Sequence, residues 1–349
     1  MSKLAKAMQA AAGNAGGVDS AVVASQGSSP YIRAYKWDGG FGTAYSNPST
    51  LPGSQTWGVS FHPDGTAVAA AHISSPFISA YPWSNDGFGT KFSNPSTLPG
   101  SGGKDVDFHP EGTALVIAHE ASPYISAYPW SDSGFGTKFS NPSNLGQSKG
   151  QSIVFHPAGN AVVLGMELYA PMFVAYAWSA SGFGTKFADP SSNLGSYATV
   201  TGCAFNPEGT AIAISHQGAP VISVWKWSAS GFGTKFSNPS VVPPSTGYRV
   251  AFHPDGTAIA VAHTSSPYIS AYPWSNSSGF GTKFSDPSTS PGSNGRGVKF
   301  SKDGADIAVG TVSSPYISAY PWTGSGFGAK YSTPASFNTP VESIDFLGQ

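Results

Sequence analysis

Val106-Asp107-Phe108-His109-Pro110-Glu111-Gly112, Thr113-Ala114-Leu115-Val116-Ile117-Ala118-His119, Ser122-Pro123-Tyr124-Ile125-Ser126-Ala127-Tyr128-Pro129-Trp130 and Gly134-Phe135-Gly136-Thr137-Lys138-Phe139-Ser140-Asn141-Pro142 are the four runs that decide the fold. Each is short, rich in β-branched or aromatic residues, and bounded by Gly, Pro, Ser or Asn, so each reads as a strand between turns. Pro110-Glu111-Gly112 predicts a tight hairpin in which the glycine takes a positive φ. The Trp closing the third run recurs at Trp37, Trp83, Trp130, Trp178, Trp227, Trp274 and Trp322, at spacings of 46, 47, 48, 49, 47 and 48 residues. A period near 40–50 residues with about four strands per copy is that of a propeller blade. The expected fold is therefore all-β, a seven-bladed β-propeller with four antiparallel strands per blade.

The ends of the chain predict how the ring closes. The first copy begins midway, with Ser20–Ser25 as a second strand and Tyr31–Trp37 as a third, while the missing first strand is found at Val341–Phe346. One blade is then built from both termini, which removes the open sheet edge. Residues 1–18 form an Ala/Gly-rich arm and 19–349 the propeller. Composition agrees: of 349 residues 43 are Gly and 29 Pro, charged residues make up 10% and aromatic ones 13%, which argues against a helical protein. A net charge of −1 leaves no footprint for nucleic acid, and no apolar run is long enough for membrane insertion. The N-terminus lacks the apolar core of a secretory signal. The single cysteine, Cys203, excludes an internal disulfide, and its place in the register of Val59, Val106, Ile153, Val250, Val298 and Ile344 predicts a buried, inert thiol.

Across residues 19–349 the blade resembles that of the WD-repeat and related propeller families. The likeness is strongest at Val221-Ile222-Ser223-Val224-Trp225-Lys226, with Trp225 in the slot that Tyr35, Tyr81, Tyr128, Tyr176, Tyr272 and Tyr320 fill elsewhere. The Gly-His and the turn Asp of those repeats are missing, so their polar network is not implied here. A shorter segment, Met1-Ser2-Lys3-Leu4-Ala5-Lys6-Ala7-Met8-Gln9-Ala10-Ala11-Ala12-Gly13-Asn14, resembles the leader of tail-fibre and other virion proteins of marine tailed phages. Its residues favour a short helix with Leu4 and Met8 on one stripe, closed by glycines, and the resemblance implies an arm that docks on other virion proteins.

No catalytic constellation stands out. The eight histidines fall in two repeated registers, one after the first-strand Phe (His62, His109, His156, His253) and one at the end of the second strand (His72, His119, His216, His263). Equivalent positions spread around a ring do not converge on a metal, so these histidines are expected to support turns or the rim, with no metal and no cofactor. Asp107 and Asp345 lie on first strands of separate blades, which points to solvation rather than an acid–base pair. Two sets of binding residues emerge. Phe135 and Lys138 represent a once-per-blade aromatic-plus-cation motif that either plugs the blade edge or binds a host-surface glycan. Met166, Leu168, Tyr169 and Met172 interrupt an otherwise polar turn of the fourth copy and mark a partner surface. The expected function is a non-enzymatic virion protein, a tail or capsid appendage for assembly or host attachment. The alternatives are a lectin-like glycan binder and a cellular interaction scaffold.

Overall fold

A computed structural model describes residues 19–168, 171–192, 194 and 198–348. They form seven four-stranded antiparallel sheets, six with strands in sequence order and one that the C-terminal strand opens. The seven-bladed propeller is the fold. Blade 1 joins Ala21–Ser25, Ile32–Trp37 and Phe41–Ala44 to the C-terminal strand Ile344–Leu347. Blades 2 to 7 open with the inner strands Thr56–Phe61, Gly103–Phe108, Gly150–Phe155, Val200–Phe205, Gly247–Phe252 and Gly295–Phe300. Closure follows the expected register, with Val22 opposite Phe346 and Ala24 opposite Ile344. The regular C-terminal strand starts at Ile344 rather than Val341, because Glu342 and Ser343 instead donate their backbone N–H groups to Ser25 Oγ at 3.0 and 2.9 Å.

Each hydrophobic core lies between two blades. Val116, Ala118 and Ile125 of blade 3 pack against Leu164, Tyr176 and Trp178 of blade 4, all buried. Trp178 meets Phe139, Phe155 and Phe183 edge to face at 5.4, 5.0 and 5.1 Å, a geometry that suits the ring quadrupoles. The repeated aromatics are thus the glue between neighbours, and the near-identity of the blades follows from having to fit one another.

The histidines have structural partners on both sides. His62, His109, His156 and His253 place Nε2 at 3.1, 3.0, 2.9 and 2.9 Å from the carbonyls of Gly112, Gly159, Gly209 and Gly304 in the next blade. Each Nε2 must therefore donate. Gly112 shows how close this approach is: at φ +72° a Cβ there would lie 2.2 Å from His62 Nε2. The second set is fully buried, with Nε2 of His72, His119, His216 and His263 at 3.0, 3.0, 3.2 and 3.0 Å from Ser79, Ser126, Ser223 and Ser270 Oγ.

One position breaks the repeat at the ring seam. Where second strands begin with Ala21, Ala67, Ala114, Ala161, Ala211 and Ala258, blade 7 has Asp306. Its buried carboxylate accepts from Trp37 Nε1 at 2.9 Å and Tyr331 Oη at 2.7 Å, tying blade 7 to blade 1. Asp306→Ala should cost about 2–4 kcal/mol, two hydrogen bonds to a charged acceptor less the relief of a buried charge. Urea unfolding of the variant checks this, and an unchanged midpoint would show that the seam does not depend on the aspartate.

Candidate active site at the mouth of the channel

The inner strands line an axial channel, and those of blades 2 to 7 each begin with a bulge. Pairing slips between Thr56 and Gly58, Gly103 and Asp105, Gly150 and Ser152, Val200 and Gly202, Gly247 and Val250, and Gly295 and Gly297. A bulge leaves one residue unpaired and re-aims its side chain. The residues so placed are Trp57, Lys104, Gln151, Thr201, Tyr248 and Arg296, with Glu342 at the same register of blade 1. In a chain whose blades otherwise repeat, this register holds seven different residue types. All seven line one cleft of about 50 Å³, together with Arg249.

The cleft is polar, cationic and only partly satisfied. Lys104 Nζ lies 4.1 Å above the Trp57 ring and 3.0 Å from Glu120 Oε1. The Arg296 guanidinium stacks on Tyr248 at 3.7 Å, and its Nε is 4.0 Å from Glu342 Oε2. Arg296 Nε and Trp57 Nε1 are buried donors without a hydrogen-bond partner. Such atoms carry a desolvation cost that an acceptor in the cleft would remove. Burial raises the affinity of the Glu342 carboxyl for its proton, and Arg296, Arg249 and Lys104 pull the other way. The floor is Arg249, which pairs across the channel with Asp105, whose Oδ2 also accepts from Ser152 Oγ at 2.9 Å and Ile153 N at 3.0 Å. Below it the channel widens into a second chamber.

The residues singled out by sequence lie elsewhere. Met166 ends the strand Ala161–Met166 and is buried between blades 3 and 4, and Met172 is buried between blades 4 and 5, so both side chains pack inside the protein. Leu168 is exposed, and Tyr169, Leu4 and Met8 lie outside the described residues. Phe135 packs edge-on against Trp130 at 5.1 Å, and Lys138 bonds the Asn141 side chain. None of these lines the cleft. Among the described residues no group of three or more His, Cys, Asp or Glu is placed to hold a metal. The Cys203 thiol, partly buried in the lower chamber, is pushed up to about 12 by its surroundings, chiefly burial, and is no nucleophile at neutral pH.

No family model matches the chain, and no curated protein matches it. Solved structures do share the fold. A putative 6-phosphogluconolactonase from Bacteroides uniformis is 14% identical with a TM-score of 0.72, over 94% of this chain and 99% of its own. The periplasmic gluconolactonase of Pseudomonas aeruginosa is 14% identical with a TM-score of 0.72, over 95% and 99%. A protein from Lactobacillus plantarum is 12% identical with a TM-score of 0.73, over 95% and 100%. At these identities the likeness is one of fold. The names of two of these neighbours, both gluconolactonases, run against the expectation of a non-enzymatic virion protein and against its glycan-binding and WD-repeat scaffold alternatives, which are not carried further. In this chain seven different residue types line the channel mouth, while the residues expected to dock a partner lie outside it.

Proposed function

We propose that the protein is a hydrolase whose substrate is a small hydroxylated lactone bound at the channel mouth. The observation that carries this reading is the pair of unpartnered buried donors, Trp57 Nε1 and Arg296 Nε, in the same cleft as a carboxyl whose proton affinity burial has raised. The donors and the flanking Arg249 and Lys104 suit an acceptor-rich ligand whose carbonyl oxygen becomes negative during reaction. The aromatic faces of Trp57 and Tyr248 suit a flat ring. Glu342 takes a proton from water as the water oxygen attacks the lactone carbonyl carbon. The arginines hold the resulting oxyanion, the ring C–O bond breaks, and the proton passes from Glu342 to the departing alkoxide oxygen, giving a hydroxy acid. The names of the structural neighbours support the lactone class.

The test is pH-stat hydrolysis of gluconolactone and 6-phosphogluconolactone. Glu342→Gln should lower kcat by about 100-fold or more with unchanged circular dichroism, since general-base catalysis contributes on the order of 10²–10⁴. The rate should rise with pH through an apparent pKa above the usual glutamate range, because Glu342 acts only when ionised and burial favours its protonated form. Turnover no faster than buffer on both lactones, or full activity in Glu342→Gln, would sink the proposal.

A further inference from the structure

A cleft of about 50 Å³ holds only the reacting end of a ligand, so the rest of the molecule lies on the rim. The rim is a second ring, one step out from Trp57, Lys104 and their equivalents, formed by the residue after the position of His72 in each blade. Its backbone N–H bonds the carbonyl two residues before the bulge position of the same blade. Ile73 does so to Gln55 at 3.3 Å, Glu120 to Gly102 at 3.2 Å, and Val312 to Asn294 and Gly27 to Pro340, both at 3.2 Å. Glu167, Gln217 and Thr264 make the same bond and complete the ring. One backbone geometry serves all seven blades, and only the side chains differ.

The side chains divide the rim into sectors. Blades 5 and 6 carry Gln217 and Thr264, polar and uncharged, and blades 3 and 4 carry Glu120 and Glu167. Lys104 Nζ is 3.0 Å from Glu120 and Lys149 Nζ 3.8 Å from Glu167, so each acid is matched by its own lysine. Three consecutive blades, 7, 1 and 2, carry Val312, Gly27 and Ile73 instead. Ile73 is 37% exposed, one of five large apolar side chains so exposed among the described residues. A Cβ on Gly102 would lie 3.0 Å from Ile73 Cγ2, which places that side chain at the entry to the inner strand of blade 3 and not at the outer edge. A Cβ on Gly27 would lie 3.3 Å from Pro340 Cδ, so blade 1 presents a proline ring where other blades present a side chain. Water held against such an apolar arc is released when a hydrocarbon lies on it.

We propose that the substrate of the mouth is a lactone with a short alkyl chain on its ring, that the chain lies over blades 7, 1 and 2, and that the molecule carries no phosphate. The lactone rests on the reading above and the alkyl chain on the rim. A phosphate needs a cation to spare, and Lys104, Lys149 and Arg249 are already held by Glu120, Glu167 and Asp105. Arg296, 4.0 Å from Glu342, is taken by the reacting carbonyl. Ring hydroxyls fall to the polar sector of Gln217 and Thr264.

The test is pH-stat hydrolysis of δ-valerolactone and of δ-decalactone, the same ring with a pentyl chain, beside gluconolactone and 6-phosphogluconolactone. The alkyl lactone should be favoured about tenfold or more in kcat/KM, mostly through KM, because each covered methylene contributes a few-fold. Ile73→Gln with Val312→Thr installs the residue types that blades 5 and 6 carry at this register, and should bring the ratio of the two lactones close to one. 6-Phosphogluconolactone should be turned over no faster than gluconolactone. The same two lactones titrated calorimetrically into the Glu342→Gln chain, which turns them over slowly, should show the same preference in Kd. Equal kcat/KM for the two lactones, a ratio unmoved by the double substitution, or a preference for the phosphorylated lactone would each overturn the alkyl subsite and leave the lactonase reading standing. Turnover of no lactone would overturn that reading instead, and the ratio of Kd values would then decide the subsite alone, equal values overturning it.

Discussion

Lowering the pH from about 7 to about 4 is expected to unfold the propeller, with a midpoint between about pH 4 and 5, earlier than carboxylate protonation alone would bring. Burial lowers His72, His119, His216 and His263 to about 4 from the ordinary 6.5. A histidine held neutral in the fold takes up its proton in the unfolded chain first. Stability that is complete above about pH 6.5 is therefore lost as pH falls toward 4. At 1.36 kcal/mol per pKa unit each histidine removes up to about 3 kcal/mol, and the four together on the order of 10. Asp107, raised to about 7, works in the opposite sense and returns about 4 kcal/mol over the same span. The remainder rivals a typical total stability of about 5–15 kcal/mol. Gln26, Met166 and Thr311 hold this register in the other blades, and in blade 7 the buried Thr311 donates its hydroxyl to Ser313 O at 3.0 Å while Ser318, at the position of Ser79, donates to Pro291 O at 3.2 Å. A variant carrying His72→Thr, His119→Thr, His216→Thr and His263→Thr should be less stable at pH 7 yet far less sensitive to acid. Circular dichroism against pH reads both chains. An identical acid midpoint and slope would remove the histidines from the account.

The parts of the fold legible in the sequence are those that repeat. The tryptophan spacing depends only on one blade fitting the next, so the period could be read from the seven copies, the strand count from one of them, and the split first blade from the two ends of the chain. Turn chemistry was equally local, as Gly112 shows. The site was hidden for the opposite reason. Lys104 and Arg296 are bulge residues, and a bulge exists only relative to a paired strand. Arg249 meets Asp105 from 144 residues away, a contact that only the closed ring creates. Aligning the copies on the Val59 register would have exposed the signal, since Trp57, Lys104, Gln151, Thr201, Tyr248, Arg296 and Glu342 are seven different residue types two positions before it. The fourth-blade methionines misled because a turn's sequence does not say which way its side chains face, and Met166 and Met172 face inward. The leader resemblance rested on an Ala-rich segment whose physics specifies a short helix and nothing about context.

Removing residues 341–349 should cost most of the stability of the fold. The segment supplies the innermost strand of blade 1, hydrogen-bonded along Ala21–Ala24, and the buried side chains Val341, Ile344, Phe346 and Leu347. Full burial of four such side chains contributes on the order of 6–12 kcal/mol, comparable to a whole domain's stability. The loss is not confined to one sheet. Phe346 lies 4.9 Å from Trp37 in the core between blades 7 and 1, Leu347 packs in the core between blades 1 and 2, and Asp345 Oδ2 accepts from Phe61 N in blade 2. Both flanking cores would open at once, and the exposed edge of Ala21–Ser25 would be left to pair with another chain. The expected result is a truncated protein that aggregates or melts well below the parent, and that adding a peptide of residues 341–349 in trans partly restores, since the missing strand docks on preformed partners. Differential scanning calorimetry with and without the peptide measures this. An unchanged melting temperature in the truncated chain would show that three strands suffice for blade 1 and that the C-terminus serves the channel alone, through Glu342 and Asp345.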